Sequence, residues 1–168
     1  MDYKYYERKI NNVIMKCPIE TGVEILVFNV LDNIIEAKGL ALVDINRLWK
    51  NRDKRLTTSA GVSDIAVVSN DFKFNTDIGQ VFGFIEVKAT NIQPFETEQV
   101  EGQKSSVSHY IYTNGLVWKY YMSQKLIWEM VLDVSEQKSI VNAKEISIDE
   151  KVFKGLLDSL EKIDWSVV

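Results

Sequence analysis

The amino-acid sequence predicts a mixed α/β fold built on a sheet with a substantial antiparallel part. Three observations carry this expectation. Stretches with helical spacing open the chain, β-rich runs punctuated by turn signals fill its middle, and a capping pattern followed by helical spacing closes it. The chain has 168 residues, two prolines and eight glycines, with no linker, low-complexity tract or repeat. It reads as one domain over residues 1–168.

The elements follow in order. Residues 3–16 form a short helix with Ile10, Val13 and Ile14 on one side, interrupted by Pro18. Over residues 21–37, Val23, Val27, Val30, Leu31 and Ile34 share one helical face, and Asn29, Asp32, Asn33 and Glu36 share the opposite one. Gly39 is the expected stop. Residues 46–60 are polar and basic, without a periodicity that assigns an element. The period then changes to that of strands at 63–69 (SDIAVVS) and 81–89 (VFGFIEVKA), joined by a polar stretch. A short helix near 95–105 follows, then strands at 107–113, 116–122 and 126–132, with Asn114-Gly115 as a two-residue hairpin signal. Ser147 and Glu150 have capping-box spacing, so a last helix is expected to about residue 163.

Composition removes several classes of function. Apolar residues make up 46% and charged residues 26%, the ordinary range for a chain that folds without staples. Cys17 is the sole cysteine and His109 the sole histidine, which excludes a disulfide framework and Cys- or His-rich metal sites. A Ser-His-Asp or Cys-His catalyst would hang on one residue. His109 is expected to be structural, and Trp118, Tyr120, Tyr121 and Trp128 to pack in the core and on the sheet. The N-terminus lacks the apolar core of a signal peptide, and the most apolar stretch, 23–35, is too short and polar to span a membrane. A soluble, cytoplasmic protein is expected.

Charged residues stand at two places where a core is expected. Glu24 projects onto the side of Phe28, Leu31 and Ile35, and Glu20 joins it if the helix starts early. A carboxylate on an apolar face is costly unless it is paired or metal-bound, although a first-turn acid that reaches water is common and suits the helix dipole. In FGFIEVKA, Glu86 and Lys88 share one strand face, and Ile85, Val87 and Ala89 the other. Alone, that is a surface ion pair, and Asp64 in GVSDIAVV is a turn aspartate. Together they match a hard divalent cation, because Mg²⁺ takes oxygen ligands and commonly one or two carboxylates. The Val87 carbonyl is a natural third oxygen. Lys88 beside it would orient or deprotonate a water, and the metal would act as a Lewis acid.

In that order, Glu24, Asp64 and Glu86-Val87-Lys88 resemble the PD-(D/E)XK nuclease superfamily. The run GVSDIAVV, GFIEVKAT and HYIYTNGLVWKYY is similar to the N-terminal nuclease domain of type I restriction endonuclease R subunits. The resemblance covers roughly residues 20–122. It implies a restriction-endonuclease-like αβββαβ core with a mixed central sheet flanked by helices. It also implies Mg²⁺-dependent hydrolysis of DNA phosphodiesters, with Mn²⁺ as a substitute. The catalytic set would be Glu24, Asp64, Glu86, Lys88 and a helix glutamine, Gln99 or Gln103, with Gln103 preferred. The metal would be held by Asp64, Glu86, the Val87 carbonyl and Glu24, with Glu20 as the competing helix acid. Ser63 stands where the family often has Pro. The sequence has no G-x-x-x-x-G-K-[ST] loop, so no ATP motor is carried over.

Arg47, Lys50, Arg52, Lys54 and Arg55 cluster around Trp49, upstream of Asp64. They are candidate phosphate contacts, against a solvated segment with Asp53 as internal partner. Lys104, Ser105 and Ser106 would be further contacts. The partner implied is DNA, with a homodimer or partner subunits as options. The alternatives are a catalytically silent nucleic-acid-binding or protein-interaction module, or an RNA-cleaving nuclease. The 20 basic against 24 acidic residues, net −4, argue against broad coating of DNA but not against a local basic groove. Affinity should then depend on divalent metal and low salt.

Overall fold

The computed structural model describes residues 1–48 and 53–167. Trp49, Lys50 and Arg52 lie outside the described residues. Helix α1 (Tyr3–Lys16) is capped by Asp2, whose Oδ1 accepts from the Tyr5 N–H at 2.9 Å, and it buries Tyr6, Ile10 and Ile14 along one stripe. Helix α2 (Glu20–Glu36) buries Val23, Leu26, Val27, Val30, Leu31 and Ile35 and ends before Gly39. Six strands follow: β1 (Leu40–Asp44), β2 (Ile65–Ser69), β3 (Val81–Val87), β4 (His109–Thr113), β5 (Val117–Met122) and β6 (Lys125–Val131). Helix α3 (Glu98–Lys104) connects β3 to β4, and α4 (Glu150–Glu161) comes last.

The strands lie in chain order in one sheet. Every neighbouring pair is antiparallel except β3 and β4, which run parallel because the α3 crossover reverses the chain between them. The succession α2-β1-β2-β3-α3-β4 is the αβββαβ order of a restriction-endonuclease-like core, with β5 and β6 extending the mixed sheet.

Three local expectations are corrected. Strand β1 had no counterpart in the periodicity, because its five residues are only partly buried along an edge and show no alternation. The β4–β5 hairpin turns one residue later than expected. Thr113 pairs with Trp118 and the Asn114 N–H reaches Val117 O at 3.4 Å, so Gly115 and Leu116 form the tip. Gly115 takes φ 82, as a first tip position requires, and Asn114 Oδ1 accepts from the Leu116 and Val117 N–H groups. Finally, Asp149 rather than Ser147 caps α4, accepting from Lys151 and Val152.

The two faces of the sheet differ. Ile65, Val67, Ile85, Val87 and Ile111 face α1, α2 and α4 in the larger apolar core. Ala66, Val68, Phe84, Tyr110, Tyr112 and Tyr121 form the second core with Val100 of α3 and Ile45 and Leu56 of the β1–β2 connection. Among the described residues no helix is long and apolar enough to cross a membrane.

Candidate metal and nucleic-acid site

Asp64 immediately precedes β2. Its backbone is fixed on both sides, with its N–H donating to Ile85 O at 3.2 Å and its carbonyl accepting from Ile45 at 2.8 Å. Its side chain turns onto β3, where Oδ2 accepts from the Val87 N–H at 2.6 Å. Antiparallel pairing of β2 with β3 therefore brings Asp64 to the peptide between Glu86 and Val87. Glu86 follows Phe84 on the face that carries Tyr110 and Tyr112, and it pairs in register with Tyr112. It is 3% exposed. Glu86 Oε1 accepts from Lys88 Nζ at 2.6 Å, whereas Oε2 is buried with no hydrogen-bond partner among the described residues.

Both helix acids reach this end of the sheet. Carboxylate oxygens of Glu20, Glu24 and Asp64 lie within 4.8 Å of one another. The helix starts at Glu20, which is why the two acids, one turn apart, sit on the same side. Asn46, just after β1, donates to Glu24 Oε1 at 2.7 Å.

The electrostatics follow from this crowding. Burial, and then the Glu86 carboxylate, push the Asp64 carboxyl up to about 8. Burial also raises Glu24, partly offset by the Asn46 hydrogen bond. Burial pulls the Lys88 ammonium down, but the surrounding carboxylates, Glu86 first and then Glu20 and Asp64, together outweigh it and the net direction is upward. The net shift favours the charged form of Lys88. The oxygens of Glu20, Glu24 and Asp64 gather at one point and are a donor set of the kind a hard divalent cation takes; Glu86, whose Oε2 has no partner among the described residues, is not in that group.

No protein-family model matches the chain, and no curated protein matches it. Among solved structures it superposes on one described as a cryo-EM complex of DrdV with DNA. The TM-score is 0.60 at 12% identity, covering 96% of this chain and 14% of that chain. At that identity the likeness is one of fold, and this chain corresponds to a small part of its neighbour's length.

The remaining candidate residues are placed as follows. Arg47 is exposed beyond β1, and its charge is felt at Glu24; Lys54 is exposed. Lys50 and Arg52 fall outside the described residues. Arg55 has a different role from the phosphate contact expected of it. Its five N–H donors go to both oxygens of Asp53 and to the carbonyls of Lys73, Ile78 and Gly79, and its guanidinium stacks 4.1 Å from the Phe72 ring centroid. It locks the β2–β3 connection in place, with Asp53 as the internal partner. Gln103 is fully buried and hydrogen-bonded to Tyr110 and Val62. Lys104 is buried against Glu96, Glu101 and the Tyr121 ring. His109 is structural, its ring nitrogens bonded to Tyr120 Oη and Val167 O. Asn46, Tyr110 and Tyr112 were missed by sequence reading. The alternation HYIYT was the available signal for the tyrosines, but only the parallel β3–β4 register sets Tyr112 beside Glu86.

Proposed function

We propose that the protein is a Mg²⁺-dependent endonuclease that hydrolyses DNA phosphodiester bonds in the manner of a restriction nuclease. The observation that carries this reading is the convergence of Asp64, Glu86 and Lys88 at the ends of two paired strands, with the α2 acids alongside. Two buried acids and a partly buried base, of which only Glu86 and Lys88 pair with each other, are costly to bury and mark a functional-site candidate. Asp64, Glu86, the Val87 carbonyl and Glu24 or Glu20 would hold the cation, with Mn²⁺ as a substitute for Mg²⁺. Bound there, it would supply a Lewis acid for a phosphoryl oxygen and lower the pKa of a water. The Lys88 ammonium would donate to that water or to a phosphate oxygen, and the Val87 N–H, which donates to Asp64 Oδ2, would keep that carboxylate turned toward the site. Arg47 and Lys54, with Lys50 and Arg52 in the same segment, would contact the phosphate backbone. The DNA in the complex formed by its fold neighbour supports DNA as the polymer.

The test is cleavage of supercoiled plasmid, linear duplex, single-stranded DNA and matched RNA with Mg²⁺, Mn²⁺ or EDTA. Wild type should cut DNA with metal only, and Lys88→Ala and Asp64→Ala should not. Equal cleavage by wild type and variants, or no cleavage of any substrate by wild type, would overturn the reading. Cleavage of RNA alone would move the activity to that polymer.

A further inference from the structure

The geometry points to Tyr110 and Gln103 as a buried brace that fixes the turn carrying Asp64, making both positioning residues rather than groups that touch substrate. The Tyr110 hydroxyl donates to Gln103 Oε1 at 2.7 Å, and Gln103 Nε2 donates onward to Val62 O at 3.4 Å, two residues before Asp64. Gln103 is 0% exposed and Tyr110 is 1% exposed, so neither polar group has water as an alternative partner. An amide can bridge in this way because it accepts with one atom and donates with the other.

A second contact presses the same helix onto the same turn. A Cβ at Gly102 would stand 2.4 Å from Ala60 Cβ, so α3 meets residue 60 at a distance only glycine permits. The turn is otherwise closed by the reciprocal bonds of Thr58 and Gly61, at 2.8 and 3.1 Å. Tyr110 itself is anchored in β4, paired with Phe84 of β3, two residues before Glu86. The brace thus runs from the strand beside Glu86, through α3, to the Val62 carbonyl, two residues before Asp64. It ties together the two acids that enter the site on different strands. Its consequence for catalysis rests on the nuclease reading; its consequence for the position of Asp64 does not.

The experiment compares wild type with Tyr110→Phe, Gln103→Met and Gln103→Glu. The Val87 amide, which donates to Asp64 Oδ2, is the local reporter, and the Leu31 amide in α2 is the control. By NMR hydrogen exchange, the Val87 amide should exchange about tenfold faster or more in Tyr110→Phe and Gln103→Met, with Leu31 unchanged. Mn²⁺ affinity should fall about tenfold or more, as for groups that orient metal ligands. Gln103→Glu, protonated, can accept from Tyr110 and donate to the Val62 carbonyl, so it should retain the brace until that buried carboxyl ionises and behave like Gln103→Met above that pH. In cleavage, kcat should fall while KM for DNA stays. Unchanged Val87 exchange in Tyr110→Phe, or equal acceleration at Val87 and Leu31, would overturn the brace. If wild type cuts no nucleic acid, the nuclease reading fails and the exchange result still decides the brace. If Gln103→Met does not fold, the hydroxyl deletion decides it alone.

Discussion

The face of the sheet against α1, α2 and α4 and the face against α3 use the same strands for different ends. On the first, Ile65, Val67, Ile85, Val87 and Ile111 meet helices whose inward stripes are aliphatic and aromatic, and apolar packing predominates. On the second, the alternate residues of the same strands include Glu86 and three tyrosines, and α3 adds Gln103 and Lys104. Strand β3 shows the contrast within a few residues: Ile85 and Val87 point to the aliphatic core, and Phe84 and Glu86 to the other side. One face is apolar, and the other buries the Glu86 carboxylate beside tyrosines, which is costly where the charge is not compensated. The alternation of a strand is what allows both.

The contrast can be broken from either side. The largest expected effect is on the acidic side: Lys88→Ala should lower the cleavage rate about 10²–10³-fold, measured at saturating DNA. On the aliphatic side, Leu31→Ala should lower stability by about 2–5 kcal/mol in urea unfolding, while the rate per folded molecule is retained. A Leu31 variant that folds normally but loses cleavage would contradict the separation. Metal affinity should follow the Asp64 carboxyl, raised to about 8 by burial and Glu86. The proton must leave before an oxygen ligates, so Mn²⁺ affinity measured by calorimetry should rise up to about tenfold per pH unit from 6 to 8 and level off above. The smallest effects separate the basic residues. Arg55→Ala should cost about 1–3 kcal/mol of stability, because it removes the guanidinium's hydrogen bonds to Asp53 and to the Lys73, Ile78 and Gly79 carbonyls, and it should leave the salt dependence of DNA binding unchanged. Lys54→Ala should do the reverse, lowering the slope of log affinity against log salt by about one.

Much of this was legible in the sequence because it depends on short spacings. Glu86 and Lys88 share a face by strand alternation alone, and Asp64 stands at the start of an apolar run. Helix α2 was expected within one residue of its observed ends. What was not legible depends on residues far apart in sequence. Arg55 looks like a phosphate contact until Lys73, Ile78 and Gly79 are folded back onto it. Gln103 looks like a catalytic amide until Tyr110 and Val62 take both of its ends. Strand β1 is recognisable only through its pairing with β2, since its own residues neither alternate nor carry turn signals. Glu20 and Glu24 both bring a carboxylate oxygen within 4.8 Å of Asp64, so their positions do not separate them as the helix acid.

Under the proposed nuclease function Asp64 serves chemistry at a cost to the fold, and its ionisation gives the most direct test. A carboxyl raised in the folded state contributes stability that is fully present below its ordinary value of about 3.9 and is lost as pH rises through about 8. Asn at this position still accepts from the Val87 N–H but carries no charge. The measurement is the Tm of wild type and Asp64→Asn at pH 9, in EDTA and in Mg²⁺, with plasmid cleavage by the same samples at pH 8. The account predicts that Asp64→Asn melts higher than wild type in EDTA, that Mg²⁺ raises the Tm of wild type alone, and that the variant does not cut. A variant that melts lower than wild type in EDTA, or gains as much from Mg²⁺, would contradict it.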